Sequence, residues 1–276
     1  QCRRGAMRAT ASVTWLHGAV RPDIEWLDDH VISGVTEYSF RTNWSGRRVP
    51  GVLWLPPPGS VAAPLVLVGH GGSGHKRSAR VVEHARWFAE HAGCAVVAID
   101  GPYHGERVPA PMPAEQYQAR IAEVGMQVVL DRMVDDWKSV LAGLAGCARV
   151  DAGRLGYLGM SMGARFGLAL AAELNDRLAA VVVGKFGLRQ CAAMHPGMAA
   201  PTRVAVDAAR VTAPLMFHVQ DDDEVFPSDG QRELFDLVGS TSKRLVIEPG
   251  RHARTTPVAI TGWRTFIAEH LTHKTI

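Results

Sequence analysis

The stretch Gly159-Met160-Ser161-Met162-Gly163 constrains this chain more than any other, because of what flanks it. Residues 154–158 read as a short apolar strand, and residues 164–174, rich in Ala, Leu and Phe, read as a buried helix. A strand that turns this sharply into a helix holds the middle residue in a strained conformation. Gly159 and Gly163 have no Cβ, so strand and helix can approach closely there. The turn lifts the Ser161 hydroxyl clear of the sheet and sets a helix N-terminus behind it. The context predicts a nucleophilic serine; a tight glycine turn with a bystander serine is the competing reading.

The rest of the chain supplies a sheet for that turn. Residues 65–69 and 95–99 are continuous apolar runs, as expected of strands buried on both faces. Further strands are expected over 179–183, 214–219 and 244–247. Helices are expected over 76–91, over 118–147 with a break near Gly125, over 229–238 and over 258–272. Strands alternate with helices after residue 64, which predicts one largely parallel sheet with helices on both faces. Upstream, 35–42 alternates and 49–55 returns after the turn signal Asn43-Trp44-Ser45-Gly46, predicting an antiparallel hairpin. A short helix is expected over 23–29, and 184–210 reads as a looser region. Residues 1–34 are expected to be an N-terminal extension, part of the same domain or foreign to it, with the main domain over 35–276.

Bulk properties exclude several classes. A net charge of +3 on scattered lysines and arginines does not support nucleic-acid binding. The longest apolar runs are far too short to cross a membrane. Cys94 and Cys147 sit in apolar surroundings and no C-x-x-C pair occurs, so free buried thiols are expected. No secretory signal is visible near Arg3, Arg4 and Arg8, and the default expectation is a cytoplasmic protein.

In a sheet of this kind functional groups gather beyond the carboxyl ends of the strands. Five predicted strand ends carry distinctive residues: His70-Gly71-Gly72, residues 100–105, Ser161, Asp221-Asp222-Asp223, and His252. A serine hydroxyl needs a base to take its proton, and His252, in a glycine-containing loop after the last strand, is the candidate. Its second nitrogen needs a carboxylate, for which Asp221, Asp222 and Asp223 compete. A tetrahedral intermediate needs two N–H donors: Met162, after the nucleophile, and Gly72, with Gly71 and Ser73 in contention. His70 and His75 have no metal-ligand spacing around them and are expected to be structural, so neither metal nor cofactor is expected. His104, Met160 and Met194 are weaker candidates for lining the pocket.

The order Ser, acid, His, together with the His70-Gly71-Gly72 loop, the Gly159–Gly163 elbow and His252, resembles the α/β-hydrolase superfamily. The chain is most similar to its dienelactone-hydrolase and bacterial serine esterase branches over roughly residues 35–272. Asp100, His104, Gly105 and Arg107 resemble the D-x-x-x-H-G-x-R loop of some relatives. The resemblance implies an α/β-hydrolase fold without a large cap domain, since residues 106–127 are short for a lid. It favours Asp223 as the acid, because Pro227 follows it at the spacing such loops commonly show. It implies hydrolysis of a carboxylic ester of a small to medium, mainly uncharged substrate through an acyl-enzyme. A thioesterase, an amidase or peptidase, a carbon–carbon bond hydrolase, or a non-catalytic binding protein on the same fold are the alternatives. The chain departs from dienelactone hydrolases in using Ser161 where they use cysteine, and in having Gln220 where a glycine is usual and Ala164-Arg165 where small residues are frequent.

Overall fold

The computed structural model describes residues 24–59 and 61–272. Its N-terminal strands β1 (Ile24–Ile32), β2 (Val35–Trp44) and β3 (Arg47–Leu55) form an antiparallel meander. The two turns that join them are alike. Ser33 and Gly34 both have positive φ (53° and 81°), as do Ser45 and Gly46 (49° and 74°). That two-residue geometry matches the right-handed twist of the flanking strands. The first turn brings in a strand where a short helix was expected. A register shift between Trp26 and Asp29 interrupts the pairing of β1 with β2 and disturbs the alternation that marks a strand.

The remaining strands are β4 (Ala63–Gly69), β5 (Ala95–Ile99), β6 (Val150–Met160), β7 (Leu178–Gly184), β8 (Leu215–Gln220) and β9 (Lys243–Glu248). The sheet order is β1-β2-β3-β5-β4-β6-β7-β8-β9, antiparallel as far as the β3–β5 pair and parallel from β5 to β9. Every residue of β5 and β8 is buried, because helices cover both faces.

The helices are α1 (Ala79–His91), α2 (Ala114–Val124), α3 (Met126–Leu144), α4 (Met162–Leu174), α5 (Pro201–Arg210), α6 (Ser228–Leu237) and α7 (Pro257–Thr272). Side chains of α1 and α7, including Phe88, Trp263 and Ile267, build the core on one face. Residues of α2 to α6, including Ile121, Trp137, Phe166 and Leu234, build the core on the other. The expected break at Gly125 is present: its φ of 90° separates α2 from α3. The supposedly loose stretch 184–210 contains α5, which starts with Pro201 at N1, where a fixed φ and a missing N–H suit a helix. Cys94 and Cys147 are buried, and neither is in a disulfide. Among the described residues, no helix is long and apolar enough to cross a membrane.

Candidate active site

Ser161 joins β6 to α4 with φ 59° and ψ −118°, a conformation that costs a non-glycine residue about 1–3 kcal/mol. It is held by its neighbours. The Ser161 amide donates to Gly184 O (2.9 Å), and a Cβ on Gly159 would lie 2.8 Å from the Gly163 backbone. A Cβ on Gly163 would lie 2.7 Å from Gly69 O. The first turn of α4 therefore rests directly on the end of β4. Tyr157, fully buried beneath the elbow, donates its hydroxyl to Gly163 O (2.7 Å).

His252 and Asp223 meet this serine. His252 Nε2 is 2.9 Å from Ser161 Oγ, and His252 Nδ1 is 2.8 Å from Asp223 Oδ2. The Asp223 carboxylate is buried and fully engaged. Oδ1 accepts from the amides of Val225 and Phe226 (2.8 Å each), and Oδ2 also accepts from Gln231 Nε2 (3.0 Å). Asp221 and Asp222 lie apart from the imidazole. Asp221 pairs with Arg232 (2.8 Å), while Asp222 Oδ2 accepts from the Gly250 amide (3.0 Å). Glu224 Oε2 accepts from the His252 amide (2.9 Å), so the acidic turn also anchors the histidine loop.

A second anchor comes from Lys185, which the sequence reading did not single out. It follows β7 with φ 49°, is buried, and donates from Nζ to His252 O (3.1 Å), Thr255 Oγ1 (2.7 Å) and Arg254 O. A lysine directly after an apolar strand and before Phe186 is the signal that marks it. Burial lowers its pKa to about 8.

On the other side of Ser161, the loops after β4 and β5 support one another. Burial lowers His70 to about 4, so its ring is neutral; Nδ1 donates to Gly71 O (2.8 Å) and Nε2 accepts from the Gly101 amide (2.7 Å). His104 is a correction to the pocket expectation. Its nitrogens lie 2.7 Å from Pro102 O and 2.9 Å from Gly72 O, and it does not line the cavity. It braces the glycine loop from behind. The other residues of the 100–107 loop have equally specific places. Asp100 accepts from Lys76 Nζ (2.7 Å) and from the Lys76 and Glu106 amides (2.9 Å each). Arg107 reaches Asp100 O (2.7 Å) and Asp136 (2.7 Å). Gly105 has φ 53°, and a Cβ there would strike the Asp100 carboxylate at 2.3 Å.

The cavity over Ser161 has a volume of about 810 Å³ and is lined by Gly72, Tyr117, Met160, Met194, Lys185 and His252 among others. Gly71 and Ser73 line it as well. A Cβ on Gly72 would be 4.0 Å from Met162 Cβ, so the two candidate amide donors belong to adjacent residues across the cleft. Met162 opens α4, whose first N–H groups have no partner within the helix. The positive end of the α4 dipole therefore lies at the serine.

A protein-family model described as "Dienelactone hydrolase family" matches residues 51–248. The chain belongs to the dienelactone hydrolase family. It is a hydrolase acting on ester bonds. Among solved structures it is similar to a cold-adapted esterase from an Arctic intertidal metagenomic library, in a complex with polyethylene glycol. The two are 27% identical over 90% of this chain and 100% of that one, with a TM-score of 0.76. The dienelactone hydrolase of Anabaena variabilis (22% identity, 87% of this chain and 98% of that one, TM-score 0.62) shares the fold. So does an acetyl xylan esterase from Paenibacillus sp. R4 (17% identity, 91% and 89% covered, TM-score 0.66). No curated protein matches the chain in sequence.

Proposed function

We propose that the chain is a serine esterase in which Ser161, His252 and Asp223 form and hydrolyse an acyl-enzyme. The observation that carries this reading is the unbroken hydrogen-bonded line from Ser161 Oγ through the imidazole to Asp223. His252 Nε2 takes the hydroxyl proton as Ser161 Oγ attacks the ester carbonyl carbon. Asp223 holds Nδ1 protonated and stabilises the imidazolium. The amides of Met162 and Gly72 donate to the oxyanion. Collapse of the tetrahedral intermediate breaks the bond to the alcohol oxygen, which receives the proton from His252. Water, deprotonated by the same imidazole, then attacks the acyl-enzyme and releases the acid with free Ser161. No metal or organic cofactor enters these steps. The cavity volume suits a small to medium substrate, with Met160 and Met194 as apolar wall. On this reading residues 35–276 are the hydrolase domain and the extension before them is part of it, and a cytoplasmic location fits.

The test is hydrolysis of a para-nitrophenyl ester chain-length series by wild type, Ser161→Ala, His252→Ala, Asp223→Ala and Asp222→Ala. Wild type turns over, the first three variants lose about a thousandfold or more in kcat, and Asp222→Ala keeps most of its activity. Equal losses at Asp222 and Asp223 would sink the assignment of the acid. A folded wild type inactive on every ester, but active on an acyl-thioester or aryl amide, would sink the ester reading.

A further inference from the structure

Arg165 lies four residues after Ser161, in the first turns of α4, and is only 4% exposed. No carboxylate pairs with it among the described residues. Its guanidinium carbon stands 5.1 Å from the centre of the Phe186 ring and 5.8 Å from that of Phe226, and Nη2 is 3.6 Å from Met194 Sδ. Nε is buried with no hydrogen-bond partner among the described residues. Burial lowers its pKa to about 10, which leaves it charged at neutral pH. Aromatic faces and a thioether are weak compensation for a cation removed from water.

The same side chain lines a small cavity, separate from the one over Ser161. Its other walls include Phe186, Gln190, Ala200, Pro201 and Val204. The cavity has a volume of about 10 Å³, close to the space one water-sized sphere requires. Ala200 and Pro201 are the N-cap and first residue of the ten-residue helix α5, and no side chain caps that end. The positive end of a helix dipole and a guanidinium with no carboxylate partner among the described residues therefore border one cavity. No Asp or Glu lines it.

We propose that this cavity is a halide site, occupied by chloride, with Arg165 as its cationic ligand and the N-terminus of α5 beside it. The volume argues against a polyatomic anion, because a carboxylate or phosphate brings at least three heavy atoms into space for one sphere. Water satisfies Nε but leaves the charge without a counterion. Bound chloride supplies both. Met194 links the two cavities: its sulfur meets Arg165, and its side chain lines the substrate cavity. Halide occupancy thus steadies one wall of the ester site without taking part in the chemistry, and the site stands or falls independently of the serine mechanism.

Thermal unfolding in sodium gluconate, with chloride or bromide replacing gluconate at constant ionic strength, tests this. Wild type gains a saturable increase in Tm, about 5–10 °C at a hundredfold excess over Kd, and Arg165→Met gains none. Crystals of the wild type grown in bromide show an anomalous peak beside Arg165. A wild type that melts identically in gluconate, chloride and bromide, with no bromide peak in this cavity, overturns the proposal. So does a halide-dependent shift that persists in Arg165→Met. Should Arg165→Met fail to fold, the bromide peak in the wild type decides alone.

Discussion

Alanine at Gly163 is predicted to be harmful, although the same substitution within a helix ordinarily helps. Replacing a helical glycine by alanine gains up to about 1 kcal/mol from reduced unfolded-state freedom and better helix propensity. At Gly163 the new Cβ would sit 2.7 Å from Gly69 O, 3.0 Å from Gly69 C and 3.3 Å from His70 O. All three are main-chain atoms at the end of β4, where Gly69 is paired with Gly159 of β6, so they cannot swing aside as a side chain would. Overpacking costs about 1–3 kcal/mol, and immovable neighbours place this site at the upper end. After the propensity gain, the expected net loss is about 1–2 kcal/mol. The strain is relieved by separating α4 from β4, which moves Ser161 and Met162 away from Gly72. A displacement near 1 Å costs about a hundredfold in rate. Urea denaturation followed by tryptophan fluorescence, with para-nitrophenyl ester kinetics on the same samples, measures both effects. Gly262 in α7 is the control: a Cβ there meets nothing within 4 Å, so Gly262→Ala should gain about 0.5–1 kcal/mol and keep full activity. If Gly163→Ala is as stable and active as wild type, the close approach of helix and strand does not govern the elbow.

Two further substitutions probe the loops on either side of the serine. Lys185→Met removes three donors from the His252 loop while keeping the side-chain volume; kcat should fall about 10–100-fold with a smaller change in KM. Because burial lowers Lys185 to about 8, its ammonium loses a donor above that pH, so wild-type kcat should decline there. The Met variant should lack that alkaline limb; an unchanged pH–kcat profile in the variant argues against Lys185 as a positioning residue. Lys76→Met tests the buried pair behind the glycine loop. Burial of Asp100 works against its ionisation, but the bond and charge of Lys76 outweigh it and leave the pKa below the usual carboxylate value. A lowered folded pKa gives stability that is present above the unfolded value near 3.9 and lost as pH falls through the folded one. Wild type should therefore lose stability only toward the acid end. Lys76→Met should lose about 3–5 kcal/mol at pH 7 and recover part of it on acidification, as the stranded carboxylate protonates. Tm measured from pH 3 to 7 separates the two; parallel slopes would count against the pairing.

Much of the fold was legible because local chemistry repeats it. The short runs of β4, β5, β7 and β8 read as buried strands from their length and their bounding turn residues. Gly159 and Gly163 mark a close approach that no larger residue tolerates, so the elbow could be read from five letters. The order of Ser161, the Asp221–Asp223 turn and His252 beyond the ends of β6, β8 and β9 put three distant segments at one rim before any distance was known. Elsewhere local signals were ambiguous. Strand β1 forms because β2 pairs with it across the Ser33-Gly34 turn, and its own pattern is broken by the register shift. Helix α5 hid among methionines and prolines, although Pro201 with Val204, Asp207 and Ala208 at helical spacing was its signature.

The sequence by itself determined the sheet order's parallel core, the strained serine and the chemical types that surround it. Only the tertiary structure decided which aspartate faces His252, because Asp221, Asp222 and Asp223 are identical in type and differ only in where the backbone after β8 aims them. It also decided that His104 braces a loop rather than facing substrate, and that Lys185 holds the histidine loop. Above all it decided that Arg165 is buried without a counterion beside an uncapped helix end. Partners and solvent access are properties of contacts between segments far apart in the chain, and no local spacing encodes them.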